Sequence, residues 1–329
     1  MASTSGNRYW IGFDLGGTKM MAAVLDKRFK ILGSARKKTK AAHGAKEAVG
    51  RMIDTIDEAL SNSGVQARQI RGIGFGSPGP LDLVRGVILE SPNLGWPPVP
   101  VRQRLQVHYH CPVVVANDVD AGTYGECCFG AAQNARCAVG IFPGTGIGGA
   151  CVYEGRLITG RVYSAMEVGH IIVEPGGRLC GCGRRGCLEA VASRHAIAAD
   201  AALAAARGHA PHLLNAVGTD IEAIRSGAIA ASIKAGDTVV EDIVRHAAQL
   251  LGIGIADLIN LFAPDVVVLG GGLVEAMPDL IVSEARKSAR SWAMEPLGEQ
   301  TRFVAARLGD NATAMGAAAL VAGVKPSWQ

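Results

Sequence analysis

Between Glu167 and Ser193 the chain reads EVGHIIVEPGGRLCGCGRRGCLEAVAS, with Cys180, Cys182 and Cys187 spaced Cys-x-Cys-x4-Cys and His170 ten positions ahead of the first. Glycines stand at 176, 177, 181, 183 and 186, and glycine lets a backbone wrap a small centre without steric cost. Three thiolates and one imidazole make a closed tetrahedral ligand set, the usual make-up of a structural zinc site. The plainer reading is four unrelated residues in a polar loop, and the clustered spacing weighs against it. Whatever fold the chain adopts must close this knuckle.

A length of 329 residues exceeds one ordinary core and suggests two domains. Hydrophobic residues make up 49% and charged ones 19%, enough to fill a sizeable interior. The net charge of +4 comes without a long basic block, which argues against nucleic acid as a partner. No run approaches the ~18 apolar residues that span a bilayer, so no membrane partner is expected. The opening MASTSGNRYW lacks the apolar stretch of a secretory signal, so a reducing cytoplasm is expected, with thiols free or metal-bound.

Along the chain, Tyr9 to Leu15 reads as a strand. The turn Gly16-Gly17-Thr18-Lys19 leads into a second strand from Met20 to Leu25, and Phe29 to Ala35 reads as a third. The glycine turn offers backbone N–H groups and the Thr18 hydroxyl to a phosphate, and Asp14 is placed to hold Mg²⁺. A plain hairpin turn explains the same residues. Residues 45–61 carry helical spacing, Ile70 to Phe75 and Val87 to Leu89 read as strands, and a breaker-rich loop follows at 91–98. Val113 to Ala116 is a buried strand ending at Asn117-Asp118, where a helix starts. A carboxylate there is either an N-cap or a site residue at a strand end. Cys137 to Phe142, Pro143-Gly144-Thr145-Gly146 and Ala150 to Tyr153 repeat the pattern of strand, glycine turn with threonine, strand. Further on come an Ala-rich helical region at 189–206, turns and short helices at 207–235, and a long helix from Asp237 to Phe262. Val266 to Leu269 is a strand ending in Gly270-Gly271-Gly272. A helix at 279–293, a strand from Phe303 to Ala305 and a small-residue helix from Gly309 to Ala319 complete the reading.

The sets Glu167-x-Gly-His170 and Cys180-x-Cys182-Gly-x-x-Gly-Cys187-x-Glu189 resemble, position by position, the signature of the ROK family of repressors and sugar kinases, and the resemblance extends from Gly12 to about Gly323. It implies an α/β, actin-like (ribonuclease-H-like) ATPase fold, with two domains around a nucleotide and sugar cleft: 1–117 with about 306–329, and 118–305 with the zinc knuckle. It implies zinc on His170, Cys180, Cys182 and Cys187. Sugar recognition would fall to Gly79, Asn93, Asn117, Glu167, His170 and Glu189, with Asp118 as catalytic base. ATP and Mg²⁺ would be held by Asp14, Gly16, Gly17, Thr18, Lys19, Gly144, Thr145 and Gly146, with Gly271 and Gly272 near the adenosine. From residues alone the last glycines serve strand-to-helix packing equally well.

Repressors of the family carry a DNA-binding segment ahead of the sugar domain. Here Asp14 falls within fifteen residues of the first, so the resemblance points to an ATP-dependent hexose kinase with glucose as first acceptor. Fructose, mannose, allose and N-acetylhexosamines are the other acceptors, and a sugar-sensing regulator is the other class. A homodimer or higher homo-oligomer is implied as well. Two departures from the family pattern stand out, Phe142-Pro143 ahead of the second loop and the pair Cys127-Cys128.

Overall fold

A computed structural model describes residues 8–40, 44–89, 95–161 and 165–328. One five-stranded sheet has the order Ile31–Lys38, Lys19–Leu25, Tyr9–Leu15, Ile70–Ser77, Val113–Asn117. Lys19–Leu25 runs antiparallel to both of its neighbours, and Ile70–Ser77 and Val113–Asn117 are parallel to Tyr9–Leu15. The second five-stranded sheet has the order Arg156–Leu157, Ile147–Tyr153, Cys137–Pro143, Val266–Leu269, Arg302–Ala305, with the last three parallel. Both sheets thus follow one plan. A central strand has hairpin partners on one side and two parallel strands on the other. Their interior strands are nearly continuous apolar runs, as strands covered on both faces require.

The chain divides into two compact units. The first runs up to Ala135 and adds Cys151–Ala165 and the segment from Asp310 onward; the second takes Arg136–Ala150 and Met166–Gly309. In the first unit, the helix Ala45–Ser63 buries Ala48, Met52, Ile56, Ala59 and Leu60, an apolar stripe at helical spacing. The strands Tyr9–Leu15 and Ile70–Ser77 present Gly12, Gly74 and Gly76 to the small-residue helix Ala312–Ala322. A Cβ on Gly12 would lie 1.9 Å from the Ala314 carbonyl oxygen, and one on Gly74 1.8 Å from that of Ala317. The same helix meets Asp118–Phe129 through Gly125 and Gly316, where a Cβ would lie 2.6 Å from Ala312 O and 1.7 Å from Ala121 O respectively. Backbone lies on backbone here because no side chain intervenes.

Two differences from the sequence expectations, and one expectation met in the turns and short helices at 207–235, have local causes. The third strand begins at Ile31 rather than Phe29, because Phe29 takes φ 60° in the turn and stacks its ring on Phe129 at 5.0 Å. The helix Val101–Tyr109 has only three buried apolar positions, Val101, Leu105 and Tyr109, too few to show a period. The stretch 207–235 holds two helices, Pro211–Val217 and Ser226–Ala235. The Asp237 carboxylate ties them, accepting from His212 N, Leu213 N and the Ser232 hydroxyl at 3.2, 2.8 and 2.6 Å.

Replacing Gly74 with alanine must push the covering helix off the sheet, and the expected loss is about 3 kcal/mol of unfolding free energy. Gly50→Ala is the control. It lies exposed inside Ala45–Ser63 with nothing near its Cβ position, and should gain about 0.5–1 kcal/mol. Urea unfolding of both variants reads the contrast.

Candidate functional site

In the first unit the parallel strands end along one sheet edge. Asp14 sits beside Gly76, and Ser77 beside Asn117. Such an edge is where open α/β sheets build sites. Burial and, next, the Asp118 charge push the Asp14 carboxyl up to about 7, with Asp310 adding to the rise and Lys19 and Arg36 opposing it. The structure therefore brings Asp14 and Asp118 within electrostatic reach of each other. Asn117 caps the helix Asp118–Phe129, its Oδ1 accepting from Val119 N at 2.9 Å and Asp120 N at 3.2 Å. The cap takes the side-chain oxygen, and the amide Nδ2 remains to serve as a donor. Asp118 Oδ1 also accepts from Val119 N, and the Asp118 carbonyl accepts from the Thr313 hydroxyl at 3.1 Å.

The turn after Asp14 is held by main-chain bonds, Gly16 N to Lys19 O and Thr39 N to Thr18 O, both 2.9 Å, and by the Thr39 hydroxyl on Gly16 O. Lys19 Nζ lies 2.9 Å from Asp310 Oδ1, and Arg36 Nη1 2.7 Å from Asp310 Oδ2. One carboxylate thus bridges two cations, and the Lys19 hydrogen bond holds the Asp310 carboxyl below its usual range. Asp310 and Arg36 are residues that sequence reasoning missed. Lys19 and Asp310 stand 291 positions apart, so no local pattern joins them. Gly79 follows the strand Ile70–Ser77 and has open space at its Cβ position. Asn93 lies outside the described residues.

In the second unit, Gly144-Thr145-Gly146 forms a tight turn closed by Gly144 N on Gly146 O at 2.8 Å. Three neighbours border it. Gly271, at φ 83°, brings its Cα so near that a Cβ would lie 2.9 Å from Pro143 O, and Gly272 opens the short helix behind it. Glu189 Oε2 accepts from Ile147 N at 3.0 Å and lies against Gly146, where a Cβ would come within 2.3 Å of it. Arg194 donates its backbone N–H to Gly144 O at 2.8 Å and its Nη2 to the Thr145 hydroxyl at 3.1 Å. Phe142, one of the two departures noted above, rests on Gly270, whose Cβ would clash with its ring at 2.5 Å. The Cys128 thiol is raised to about 12 by burial, which leaves it unreactive.

The ligand atoms of His170, Cys180, Cys182 and Cys187 all lie within 4.8 Å of one another. Cys182 and Cys187 Sγ are 3.6 Å apart, and Cys180 Sγ is 3.7 Å from His170 Nδ1. A tetrahedron with metal–sulfur bonds of about 2.3 Å has edges of about 3.8 Å, so the residues fit a zinc ion. Among the described residues no disulfide competes for these thiols. The knuckle closes through Cys180 N on Arg184 O and Gly186 N on Arg178 O. Gly186 is required there: at φ 81° its Cβ would lie 1.8 Å from Glu174 O. The backbone N–H and then the guanidinium of Arg184 lower the exposed Cys182 thiol to about 6, while burial raises Cys187 to about 12. His170 turns Nδ1 to the thiols, and Nε2 points to the other side of the ring. Glu167 is exposed three residues before it, its carbonyl accepting from His170 N at 3.0 Å. Cys180 Sγ lies 3.9 Å from Glu189 Oε1, so the knuckle and the glycine turn share Glu189 as neighbour.

The family model described as "ROK family" matches residues 10–324. A glucokinase of Streptomyces coelicolor is 34% identical, covering 94% of this chain and 96% of its own. The crystal structure of a ROK family glucokinase from Streptomyces griseus, in complex with glucose and AMPPNP, is 34% identical, with a TM-score of 0.82 over 95% of this chain and 98% of that one. A xylose repressor of Caldicellulosiruptor bescii is 27% identical over 82% of this chain and 67% of its own. The mixed α/β architecture is the actin-like ATPase fold.

Zinc content measured on the purified protein should be one equivalent per chain, and Cys182→Ser should lower it severalfold. Full retention of zinc in that variant would remove Cys182 from the ligand set.

Proposed function

Because the chain belongs to the ROK family, we propose that it transfers the γ-phosphoryl group of Mg·ATP to a hexose hydroxyl, with glucose, phosphorylated at its 6-hydroxyl, as the first acceptor. The observation that carries this reading is the pairing of Asp14 and Asp118 at the ends of parallel strands, each within range of the other's charge. Two nearby carboxylates with different surroundings suit two different tasks. Asp118 accepts the proton of the sugar hydroxyl as that oxygen attacks the γ-phosphorus; the bond from that phosphorus to the bridging oxygen breaks, and ADP leaves with the electron pair on its β-phosphate oxygen. Asp14 is the residue that would hold Mg²⁺, which would supply charge neutralisation for the phosphates. The glycine turns at 16–19 and 144–146 are assigned to the phosphates, to which they would offer backbone N–H groups and the Thr18 and Thr145 hydroxyls.

The family resemblance assigns sugar selection to the Asn117 amide, Glu167, His170 and Glu189, together with Gly79 and Asn93. A site that hydrogen-bonds each hydroxyl rejects a sugar that leaves one of these groups unpaired. Zinc held by four protein ligands would have no open position and would take no part in bond making; it would fix the His170 ring and leave Nε2 to serve the sugar. Gly271 and Gly272 receive the adenosine. Support for the donor comes from the nucleotide analogue named with the Streptomyces griseus structure.

ADP release with the zinc-replete protein over a panel of hexoses and N-acetylhexosamines tests the reading. Turnover with glucose well above the others is expected. Turnover confined to another hexose keeps the kinase and moves the specificity. Sugar binding without turnover on any sugar rejects the kinase and favours a regulator, the role named for the xylose repressor relative.

Two further outcomes are expected. Asp118→Ala keeps sugar affinity while turnover drops by at least ~10³-fold, and residual activity within ~10-fold of the parent would remove it as base. The second concerns pH. The Asp14 carboxyl, raised to about 7, is ionised at pH 8 and mostly protonated at pH 6, so cation binding must first expel a proton at the lower pH. The apparent dissociation constant for Mg·AMPPNP should rise by up to ~10-fold from pH 8 to pH 6. Asp14→Asn should flatten that rise to the nucleotide's own titration, and an identical profile in both proteins counts against the assignment.

A further inference from the structure

The segment Pro143 to Gly149 contains no lysine or arginine, whereas the turn after Asp14 carries Lys19. A polyphosphate bound at the second turn therefore meets no cation from the turn itself. Arg194 fills that gap in space. It is the first residue of the helix Arg194–Ala206, whose N-cap Ser193 accepts from Ala196 N at 3.2 Å. The cap fixes the backbone of that first turn, and the Arg194 N–H is one of the N-terminal donors that a helix cannot satisfy internally. It donates instead to Gly144 O at 2.8 Å. The guanidinium reaches back over the turn, with Nη2 3.1 Å from the Thr145 hydroxyl and Nη1 3.5 Å from Ile224 O. Arg194 is half-buried, and among the described residues it makes no ion pair. One residue thus grips the turn at two consecutive positions, through main chain and side chain.

Resting on the reading of this turn as a phosphate loop, we propose that Arg194 is a positioning residue for it: the guanidinium sets the Thr145 hydroxyl, and the backbone N–H sets Gly144, in the arrangement that receives the nucleotide's polyphosphate. Its uncompensated charge adds attraction for that anion. The role is specific to the nucleotide and separate from the zinc knuckle, which reaches the same turn from the opposite end through Glu189 and Ile147 N. A planar fork holds a hydroxyl in one direction, and an ammonium does not, so arginine and lysine differ at this position.

The test measures Mg·AMPPNP binding by calorimetry alongside steady-state kinetics for Arg194→Met, Arg194→Lys, Thr145→Val and the Arg194→Met/Thr145→Val double variant. Arg194→Met should weaken nucleotide binding and raise the KM for ATP by ~10-fold, with hexose KM and zinc content unchanged. Arg194→Lys should recover part of the loss. In the Thr145→Val background Arg194→Met should cost much less, because the group it positions is already gone. An unchanged nucleotide dissociation constant in Arg194→Met, or an equal loss in both backgrounds, overturns the proposal. Should the parent bind nucleotide yet phosphorylate no hexose, the kinase reading fails while Arg194 is still judged on binding. A parent that binds no nucleotide overturns both.

Discussion

The first unit depends on the absence of side chains between a sheet and a helix. Gly12, Gly74 and Gly76 bare the backbone of two parallel strands, and Ala312–Ala322 settles onto it with Ala314 and Ala317, while Gly316 faces the helix Asp118–Phe129. Close-packed interiors leave no room for adjustment at such an approach. The approach also sets functional geometry. Thr313, in the first turn of that helix, holds the Asp118 carbonyl, and the strand carrying Gly12 bears Asp14 two residues later. The carboxylates that define the proposed chemistry are therefore positioned by contacts made on the far side of their own backbone.

The second unit solves a different problem, which is to hold a mobile type of segment still. Gly144-Thr145-Gly146 has little side chain with which to anchor itself, so its neighbours anchor it: Gly271 by close approach, Glu189 through Ile147 N, and Arg194 through Gly144 and Thr145. Glu189 stands at a junction, since Cys180 of the metal-binding set lies near its other oxygen. A zinc ion held there would order the knuckle that carries Cys180, and a carboxylate next to that knuckle would share its order.

How far the sequence alone carries depends on whether a feature is local. The strands Tyr9–Leu15, apolar but for Asp14 near its end, and Val266–Leu269, apolar throughout, are bounded by glycine or a polar residue, and they appear as expected to the residue. The start of the helix at Asp118 follows from Asn117, a strong cap that the structure uses as one. The metal-binding set is local too, four residues within one short stretch, and their ligand atoms converge. Val101–Tyr109 escaped because three apolar positions do not make a period. Asp310 escaped because the ion pairs it makes with Lys19 and Arg36 join distant parts of the chain. Arg194 left no signal at all: an arginine at the head of an alanine-rich helix is ordinary until its partners are known. Glu189 was expected as a sugar ligand, and the bond it makes to Ile147 N became visible only in three dimensions.

The glycine face has a further consequence during synthesis. The sheet of the first unit is complete once Asn117 has been made, but its cover begins at Ala312; Thr313 lies 195 positions after its partner Asp118. At about 5–20 residues per second the nascent sheet waits roughly 10–40 s for that helix. A face of leucines would spend the interval as a sticky surface. Gly12, Gly74 and Gly76 expose mainly peptide groups that are already paired within the sheet, so the centre of the waiting face presents less apolar area to chaperone or aggregate than large side chains there would. The residues that allow the closest packing in the finished molecule are thus also the ones that keep it quiet before the packing can form.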